Sequence, residues 1–126
     1  MNQPFEENFN EAFRGRTKQL AFDCICLFSQ LKQKEELRVI ARQLIRSATS
    51  VAANFRASCR ARSDAEYYSK MCIVVEECDE SLFWLEMIEM TRFLKNPKIQ
   101  VLIAETKQLL IVFARTKKSM KTNKRN

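Results

Sequence analysis

The chain has 126 residues, with 22 Lys and Arg against 15 Asp and Glu, one Gly and no His. This length fits one compact domain. A single glycine argues against all-β and α/β folds, whose tight turns need residues that tolerate positive φ. It also argues against glycine-rich phosphate-binding loops, and the lack of His removes imidazole bases and His-containing zinc sites. We therefore expect an all-α protein that is not an enzyme and uses no cofactor.

Cysteine usage and hydropathy point to a soluble cytoplasmic protein. The five cysteines form no C-x-x-C pair, and no secretory signal opens the sequence. We expect them to be reduced and mostly buried, including both Cys24 and Cys26, which packing explains better than metal binding. No uninterrupted apolar run approaches the roughly 18 residues that cross a bilayer, so no membrane partner is expected.

Two amphipathic helices are predicted in the first half of the chain. Over residues 9–31, apolar side chains such as Phe13, Leu20 and Cys24 recur at spacings of three, four and seven, with Gly15 inside the pattern. A short polar connection precedes a second helix over residues 35–61, which starts with acidic residues and has a regular apolar side. The residues before 9 are expected to be loosely ordered.

The third and fourth helices have clearer start signals. Ser63 and Glu66 have the spacing of a capping box, which predicts Ser63 as the N-cap of a helix that continues to about residue 93. Apolar residues cover more than one stripe of this helix, so we expect it to be the most buried. Asn96 and Pro97 then predict a helix over residues 98–117.

Four helices with short connections predict an antiparallel up-down-up-down four-helix bundle. The predicted organisation is a flexible N-terminus over residues 1–8, the bundle over residues 9–117 and a flexible basic tail over residues 118–126. After Ala114 the chain has six basic residues and no acidic one. Most of the positive excess therefore belongs to the tail.

The second helix has a basic stripe opposite its apolar side. At about 100° per residue, its arginines at 38, 42, 46, 56 and 60 occupy neighbouring angles. Residues 32–62 include eight basic and two acidic residues, whereas residues 64–92 include eight acidic and two basic ones. The two central helices are thus charge complements.

Two interpretations of this stripe stay open. Acidic residues of the third helix, Glu76, Glu77, Asp79 and Glu80, could neutralise it, within one chain or across a subunit contact. Alternatively, part of the stripe binds phosphates, because the guanidinium fork matches phosphate geometry. Under that hypothesis the nucleic-acid-binding residues are Arg38, Arg42, Arg46, Arg56, Arg60 and Arg62, with Lys117, Lys118, Lys121, Lys124 and Arg125 from the tail.

Other candidate sites favour packing over chemistry. The acidic cluster on the third helix has no His to complete a di-iron motif, so no metal is expected. Cys72 and Cys78 have no base nearby in the pattern to make a nucleophile. Phe83, Trp84 and Met87 form an apolar patch on a polar side of the third helix, which predicts a subunit contact.

Residues 46–56, 60–63 and 77–85 resemble the bacterial four-helix bundle proteins found in intervening sequences of large-subunit ribosomal RNA genes. Their R-S-x-x-S-[IV]-x-x-N signature and later E-x-[DE]-E-[ST]-x-[YF]-W-L segment match here over about forty residues. Many relatives have Glu and then Gly or Ala after the Asn motif, where this chain has Ala57 and Ser58.

The resemblance implies a homo-oligomeric ring, most often a pentamer, with a non-enzymatic role. A related group looks like the accessory variability determinant of diversity-generating retroelements, a basic bundle that binds a reverse transcriptase and nucleic acid. By matched position, the resemblance implies that Asn54 and Ser63 are structural residues that cap or bridge helices. The matched residues that could bind phosphates are Arg46, Arg56, Arg60 and Arg62. Alternatively, Glu77, Asp79 and Glu80 hold those arginines.

The sequence therefore predicts an oligomeric bundle that binds an RNA or DNA backbone with little base specificity. The competing hypothesis is a protein-interaction scaffold whose charge stripes pair internally or dock a protein partner.

Overall fold

The protein, described here by a computed structural model, is an antiparallel bundle of four helices. The structure describes the backbone of residues 4–125 and the side chains of residues 6–120. The helices are α1 (Pro4–Leu31), α2 (Glu35–Ser58), α3 (Asp64–Thr91) and α4 (Lys98–Arg125), and the described residues contain no strand. The predicted all-α up-down-up-down fold is confirmed.

Local signals in the sequence explain where α3 and α4 begin. The Ser63 hydroxyl accepts a hydrogen bond from the Glu66 amide at 3.1 Å, which satisfies one of the free amides at the start of α3. Asn96 Oδ1 accepts from the Lys98 amide at 2.9 Å at the start of α4. Arg92, with φ of 57°, ends α3 in the left-handed conformation.

Four helix ends differ from the predicted boundaries, and α3 ends at Thr91, before the predicted residue 93. α1 begins at Pro4, before residue 9, and Phe9 lies on Phe13 with ring centroids 4.6 Å apart. α2 ends before residue 61, because the amides of Arg60 and Ala61 bond three residues back and tighten the chain. α4 continues past residue 117, where Met120 packs against the core. Flexibility of the terminal segments stays a prediction.

The core is formed by one side of each helix. α2 packs against α1 and α3, and α3 packs against α4, whereas α1 and α4 approach each other much less closely. Ion pairs join that last seam: Arg16 binds Glu105 with an Nη2–Oε1 distance of 2.6 Å, and Lys98 Nζ lies 3.4 Å from Asp23 Oδ2. The seam is the most open side of the bundle.

The prediction that α3 is the most buried helix is wrong. α2 has eight buried residues, whereas α3 has six. Some apolar residues of α3 do not lie in the core: Phe83 is 50% exposed and Met90 is 72% exposed. The α3 sequence therefore has an apolar surface that the single chain leaves uncovered.

Aromatic side chains mark one end of the bundle, where α1 and α3 begin and α2 and α4 end. Phe55 of α2 is fully buried and lies against Phe113 of α4, with ring centroids 5.1 Å apart. Phe9 and Phe13 of α1 complete the cluster. We call this the basic end, because the last arginines of α2 and the basic part of α4 lie here.

Candidate nucleic-acid interface

The arginine stripe of α2 divides into paired and unpaired members. Arg38 donates to Glu35 one turn before it. Arg46 reaches across to α3, where its Nη1 donates to Glu77 Oε2 at 2.9 Å and its Nη2 donates to Glu80. The hypothesis that acids of α3 neutralise the stripe is therefore correct at Arg46.

Electrostatics at the Arg46 contact follow from this geometry. The pKa of Glu80 lies below its ordinary value, first because Trp84 Nε1 donates to its carboxylate at 3.1 Å and then because Arg46 lies beside it. The pKa of Arg46 is raised mainly by the hydrogen bond to Glu80. Because the Arg46 side chain is 49% exposed, water weakens this attraction and the contact is worth little energy.

Three arginines of the stripe have no ion partner among the described residues: Arg42, Arg56 and Arg60. All three are exposed. Arg56 lies in the last turn of α2, whereas Arg60 lies past the end of the helix at Ser58, in the turn that follows it, and not on the helix as the sequence predicted. Arg42 lies about 21 Å before Arg56 along α2 at 1.5 Å per residue. Their guanidinium groups form a row of unneutralised positive charges, which we call the open stripe.

The connection after α2 extends the positive surface at the basic end. Arg62 is exposed, and its Nε lies 3.6 Å from Glu66 Oε2, so this charge is only loosely paired. Ser63 follows as the cap of α3. Arg62 therefore adds a loosely paired positive charge beside Arg60.

The basic residues of α4 reach the same end of the bundle on another side. Arg115 and Lys118 are exposed, and Lys117 is half-buried. Lys121, Lys124 and Arg125 lie within the helical backbone, but their side chains fall outside the described residues. α2 and α4 are diagonal in the bundle, so the open stripe and the basic part of α4 form two separate surfaces.

Two of the residues matched by resemblance, Asn54 and Asp79, do not bind the arginines of the stripe. Asn54 donates from Nδ2 to the carbonyl oxygen of Ser50 at 2.9 Å, one turn earlier in its own helix, so it does not bridge two helices. Asp79 is exposed and makes no ion pair within the described residues, so it does not hold an arginine of α2.

The apolar patch predicted on α3 is uneven in exposure. Phe83 is the exposed member, Met87 is half-buried, and Trp84 packs against the core at the α2–α3 contact. The rings of Phe83 and Trp84 meet edge to face, with centroids 4.9 Å apart. Trp84 therefore contacts both Phe83 and the core, and Phe83 is the side chain exposed to solvent.

Cysteine chemistry does not define a site. Cys24 and Cys78 are buried, and burial raises the pKa of each thiol to about 12, which disfavours the thiolate. Cys26 is exposed, so the expectation that packing explains it is wrong: its position two residues after Cys24 turns it to the outer side of α1. The described residues hold no cluster of Cys, Asp and Glu that could bind a metal.

A depression with a volume of about 250 Å³ lies in the α1–α4 seam. The charged residues that line it already form ion pairs: Arg16 binds Glu105, and Asp23 binds Lys98. No nucleophile with a base lines it. Across residues 4–125, no helix has the length and apolar character needed to span a membrane.

Helical periodicity predicted the basic stripe of α2 from the sequence. An exposed row of three residues on α4 was not predicted. Lys107, Ile111 and Arg115 follow each other at intervals of four residues, and all three are exposed. The i, i+4, i+8 spacing alone could have found them.

These observations define the class of protein: an all-α four-helix bundle with a basic outer helix face. The sequence model of the 23S rRNA-intervening sequence protein family matches residues 13–113. The chain belongs to this family.

A solved structure has the same fold. It is the 1.70 Å crystal structure of a protein with unknown function from the S23 ribosomal protein family of Bacteroides thetaiotaomicron VPI-5482. The TM-score is 0.77 at 22% sequence identity, and the alignment covers 86% of this chain and 97% of that chain. No curated protein matches this chain. The likeness to the retroelement accessory protein stays a prediction.

Proposed function

We propose that this protein is a non-enzymatic accessory protein that binds the phosphate backbone of RNA or DNA through the outer side of α2. One observation carries the proposal: Arg42, Arg56 and Arg60 are exposed without an ion partner in the described part of the chain, whereas Arg46 is engaged by α3. An exposed, unpaired guanidinium offers its planar fork to a phosphate without first breaking a salt bridge.

The arrangement favours contact with a backbone over contact with bases. Arg42 and Arg56 lie on α2, and Arg60 lies in the turn that follows it, so the three exposed guanidinium groups can reach phosphates of one strand. Phosphate contacts set position but carry no sequence information. We therefore expect binding with little base preference.

The basic part of α4 supports the same function at longer range. Six basic residues and no acidic one follow Ala114. This run, which includes Lys121, Lys124 and Arg125, adds a sequence-independent attraction for any polyanion and speeds encounter at low salt. Because it lies on another side of the bundle from the open stripe, its contribution can be removed separately.

Self-association would strengthen weak phosphate contacts. Several copies that engage one strand together can raise the overall affinity by about 10² or more when the geometry permits. The pentamer implied by the family resemblance stays a prediction. A monomeric variant should therefore bind an isolated short oligonucleotide more weakly than the assembled protein does.

The second candidate function is a protein-interaction scaffold without nucleic-acid binding. The pairing of Arg46 with Glu77 and Glu80 favours it, because it shows that the α2 stripe is partly neutralised inside the chain. The exposed Phe83 favours it as well. The two candidates differ in one measurable property, which is binding to nucleic acid.

The test is a titration of fluorescent mixed-sequence RNA, single-stranded DNA and duplex DNA with full-length protein. Three variants separate the surfaces: Arg56→Glu/Arg60→Glu for the open stripe, a chain that ends at Ala114 for the tail, and Arg14→Glu/Lys18→Glu as control. The control makes the same change in charge at two exposed basic residues of α1. Circular dichroism and light scattering on the same samples report fold and assembly.

We expect the stripe variant to lose at least tenfold in affinity, and the α1 control to lose much less. Loss of binding only on truncation would contradict the open stripe as the principal site and assign binding to α4. Absence of binding by the intact wild-type protein at low salt would overturn nucleic-acid binding and leave the scaffold.

A further inference from the structure

Arg46 lies in the gap between the unpaired charges of the open stripe. It follows Arg42 by one turn, about 6 Å along α2, and precedes Arg56 by about 15 Å at 1.5 Å per residue. Its side chain is 49% exposed. A guanidinium that left α3 at this position would lie between Arg42 and Arg56 and make the row of positive charges more continuous.

Two carboxylates and one side-chain amide hold Arg46 in the folded chain. Its Nη1 donates to Glu77 Oε2 at 2.9 Å, its Nη2 donates to Glu80, and its Nε donates to Gln43 Oε1 at 3.4 Å. The side chain of Glu77 is 19% exposed and that of Glu80 is 35% exposed. The acids are therefore partly covered, whereas the guanidinium that they hold stays open to solvent and to an approaching polyanion.

The exchange of Arg46 from these acids to another anion has a small cost. Water screens an exposed ion pair and the ordering of its side chains opposes it, so its loss changes an equilibrium by no more than about fivefold. Glu80 keeps a hydrogen bond without Arg46, because Trp84 Nε1 donates to it at 3.1 Å. Glu77 loses the donor recorded for it among the described residues, so Glu77 opposes the exchange most.

We propose that nucleic acid takes Arg46 from Glu77 and Glu80, so that Arg46 binds phosphate in the complex and carboxylate in the free protein. The exchange rests on the phosphate binding by the open stripe proposed above. A strand held at Arg42 brings its next phosphates within one turn of Arg46, where the guanidinium fork fits phosphate as well as it fits carboxylate. Glu77 and Glu80 thus act as competitors for phosphate inside the chain.

The other ion-paired arginines do not combine these features. Arg38 belongs to the stripe, but its partner Glu35 lies on the same helix. Arg16 is held by another helix, but its contact with Glu105 lies in the α1–α4 seam, away from the stripe. Among the described residues, Arg46 alone lies on the stripe and is held by acids of a second helix.

The test is a titration of fluorescent mixed-sequence RNA with full-length protein at low salt. Glu77→Gln/Glu80→Gln removes both competitors and keeps the size of their side chains. The matched control is Glu76→Gln/Asp79→Asn, which removes two charges from exposed acids of α3 that make no ion pair with a described residue. Each double variant is also made together with Arg46→Gln. Circular dichroism and light scattering report fold and assembly.

We expect Glu77→Gln/Glu80→Gln to bind RNA about two- to fivefold more tightly than the control variant, because Arg46 no longer leaves two carboxylates when it binds phosphate. In combination with Arg46→Gln the two double variants should bind alike, since their difference acts through Arg46. Equal affinity of the two double variants, or a difference that persists without Arg46, would overturn the exchange. If the first double variant does not fold, Glu80→Gln and Glu76→Gln provide the same comparison with the same criteria.

Trp84 gives a second readout in the same samples. It is the one tryptophan of the chain, and its indole donates to Glu80. Saturating RNA should change its fluorescence emission in the wild type, because a positive charge leaves the carboxylate that the indole contacts. The change should be much smaller in Arg46→Gln. Unchanged emission in the wild type, or an equal change in both proteins, would contradict the exchange.

Failure of the exchange and failure of nucleic-acid binding give different results. A wild type that binds no RNA at low salt overturns the proposed function and the exchange with it. A wild type that loses affinity in Arg56→Glu/Arg60→Glu, but whose Glu77→Gln/Glu80→Gln variant binds no better than the control, overturns the exchange alone.

Discussion

Arg46 and Arg42 show how neighbouring arginines of one helix acquire different roles. Both lie on the basic stripe of α2, but Arg46 meets Glu77 and Glu80 of α3, whereas Arg42 has no ion partner among the described residues. Periodicity predicted the stripe from the sequence. It could not predict which arginine is neutralised, because that depends on the register between α2 and α3, set by packing such as the buried Ser47–Ser81 hydrogen bond.

Replacement of Glu80 tests the paired part of the stripe. The pKa of Glu80 is lowered from its ordinary value of 4.5, so its carboxylate stabilises the folded state above that value and the stabilisation is lost as pH falls below it. Glu80→Gln should lower the free energy of unfolding at pH 7 by less than about 1 kcal/mol, because the contact is partly exposed. Urea unfolding from pH 7 to 3 measures the difference.

The matched control is Glu76→Gln on the same helix, since Glu76 is exposed and has no ion partner in the described chain. It should change stability by much less than Glu80→Gln at pH 7. A Glu80→Gln deficit that grows toward pH 3 would contradict the assigned sign.

Gly15 allows a second test at the scale of single residues. It lies inside α1, and a Cβ atom added there meets nothing within 4 Å. Gly15→Ala should therefore stabilise the isolated chain by about 0.5–1 kcal/mol, because alanine loses less backbone entropy in a helix. The urea midpoint measures this change. Destabilisation in a monomeric sample would contradict the open space found around this residue.

At the scale of helices, capping and periodicity predicted all four elements, the end of α1 and the starts of α2, α3 and α4, but not the start of α1 or the ends of the other three helices. Ser63 and Asn96 are visible in the sequence, and both satisfy amides where α3 and α4 begin. The early start of α1 and the long end of α4 depend on Phe9 and Met120, which pack on residues distant in sequence. Contacts of that kind leave no local signal.

The aromatic cluster at the basic end should be the main support for the end of α2. Phe55 is fully buried against Phe9, Phe13 and Phe113. Phe55→Ala should destabilise the protein by about 3–5 kcal/mol, because it leaves a cavity in the core. The exposed Phe22 on α1 supplies the control, and Phe22→Ala should change stability by less than about 0.5 kcal/mol. Urea unfolding that gives equal losses for both would contradict the burial assigned to Phe55.

At the scale of the whole molecule, charge is distributed unevenly over the bundle. The last arginines of α2 and the basic part of α4 lie at one end, whereas the outer side of α3 is acidic. The sequence showed this complementarity between segments. It could not show that Asp79 and Glu86 stay without ion partners in the described chain, since that follows from the outward direction of their side of α3.

The most direct test of the central claim is the salt dependence of RNA binding by the wild type and Arg56→Glu/Arg60→Glu. Each phosphate contact contributes a slope of roughly −0.7 to −0.9 in a plot of log K against log salt. If Arg56 and Arg60 each bind a phosphate, the variant should have a slope shallower by about two contacts, while Arg14→Glu/Lys18→Glu keeps most of the wild-type slope. A slope unchanged in the stripe variant, with its fold and assembly intact, would contradict phosphate binding by α2.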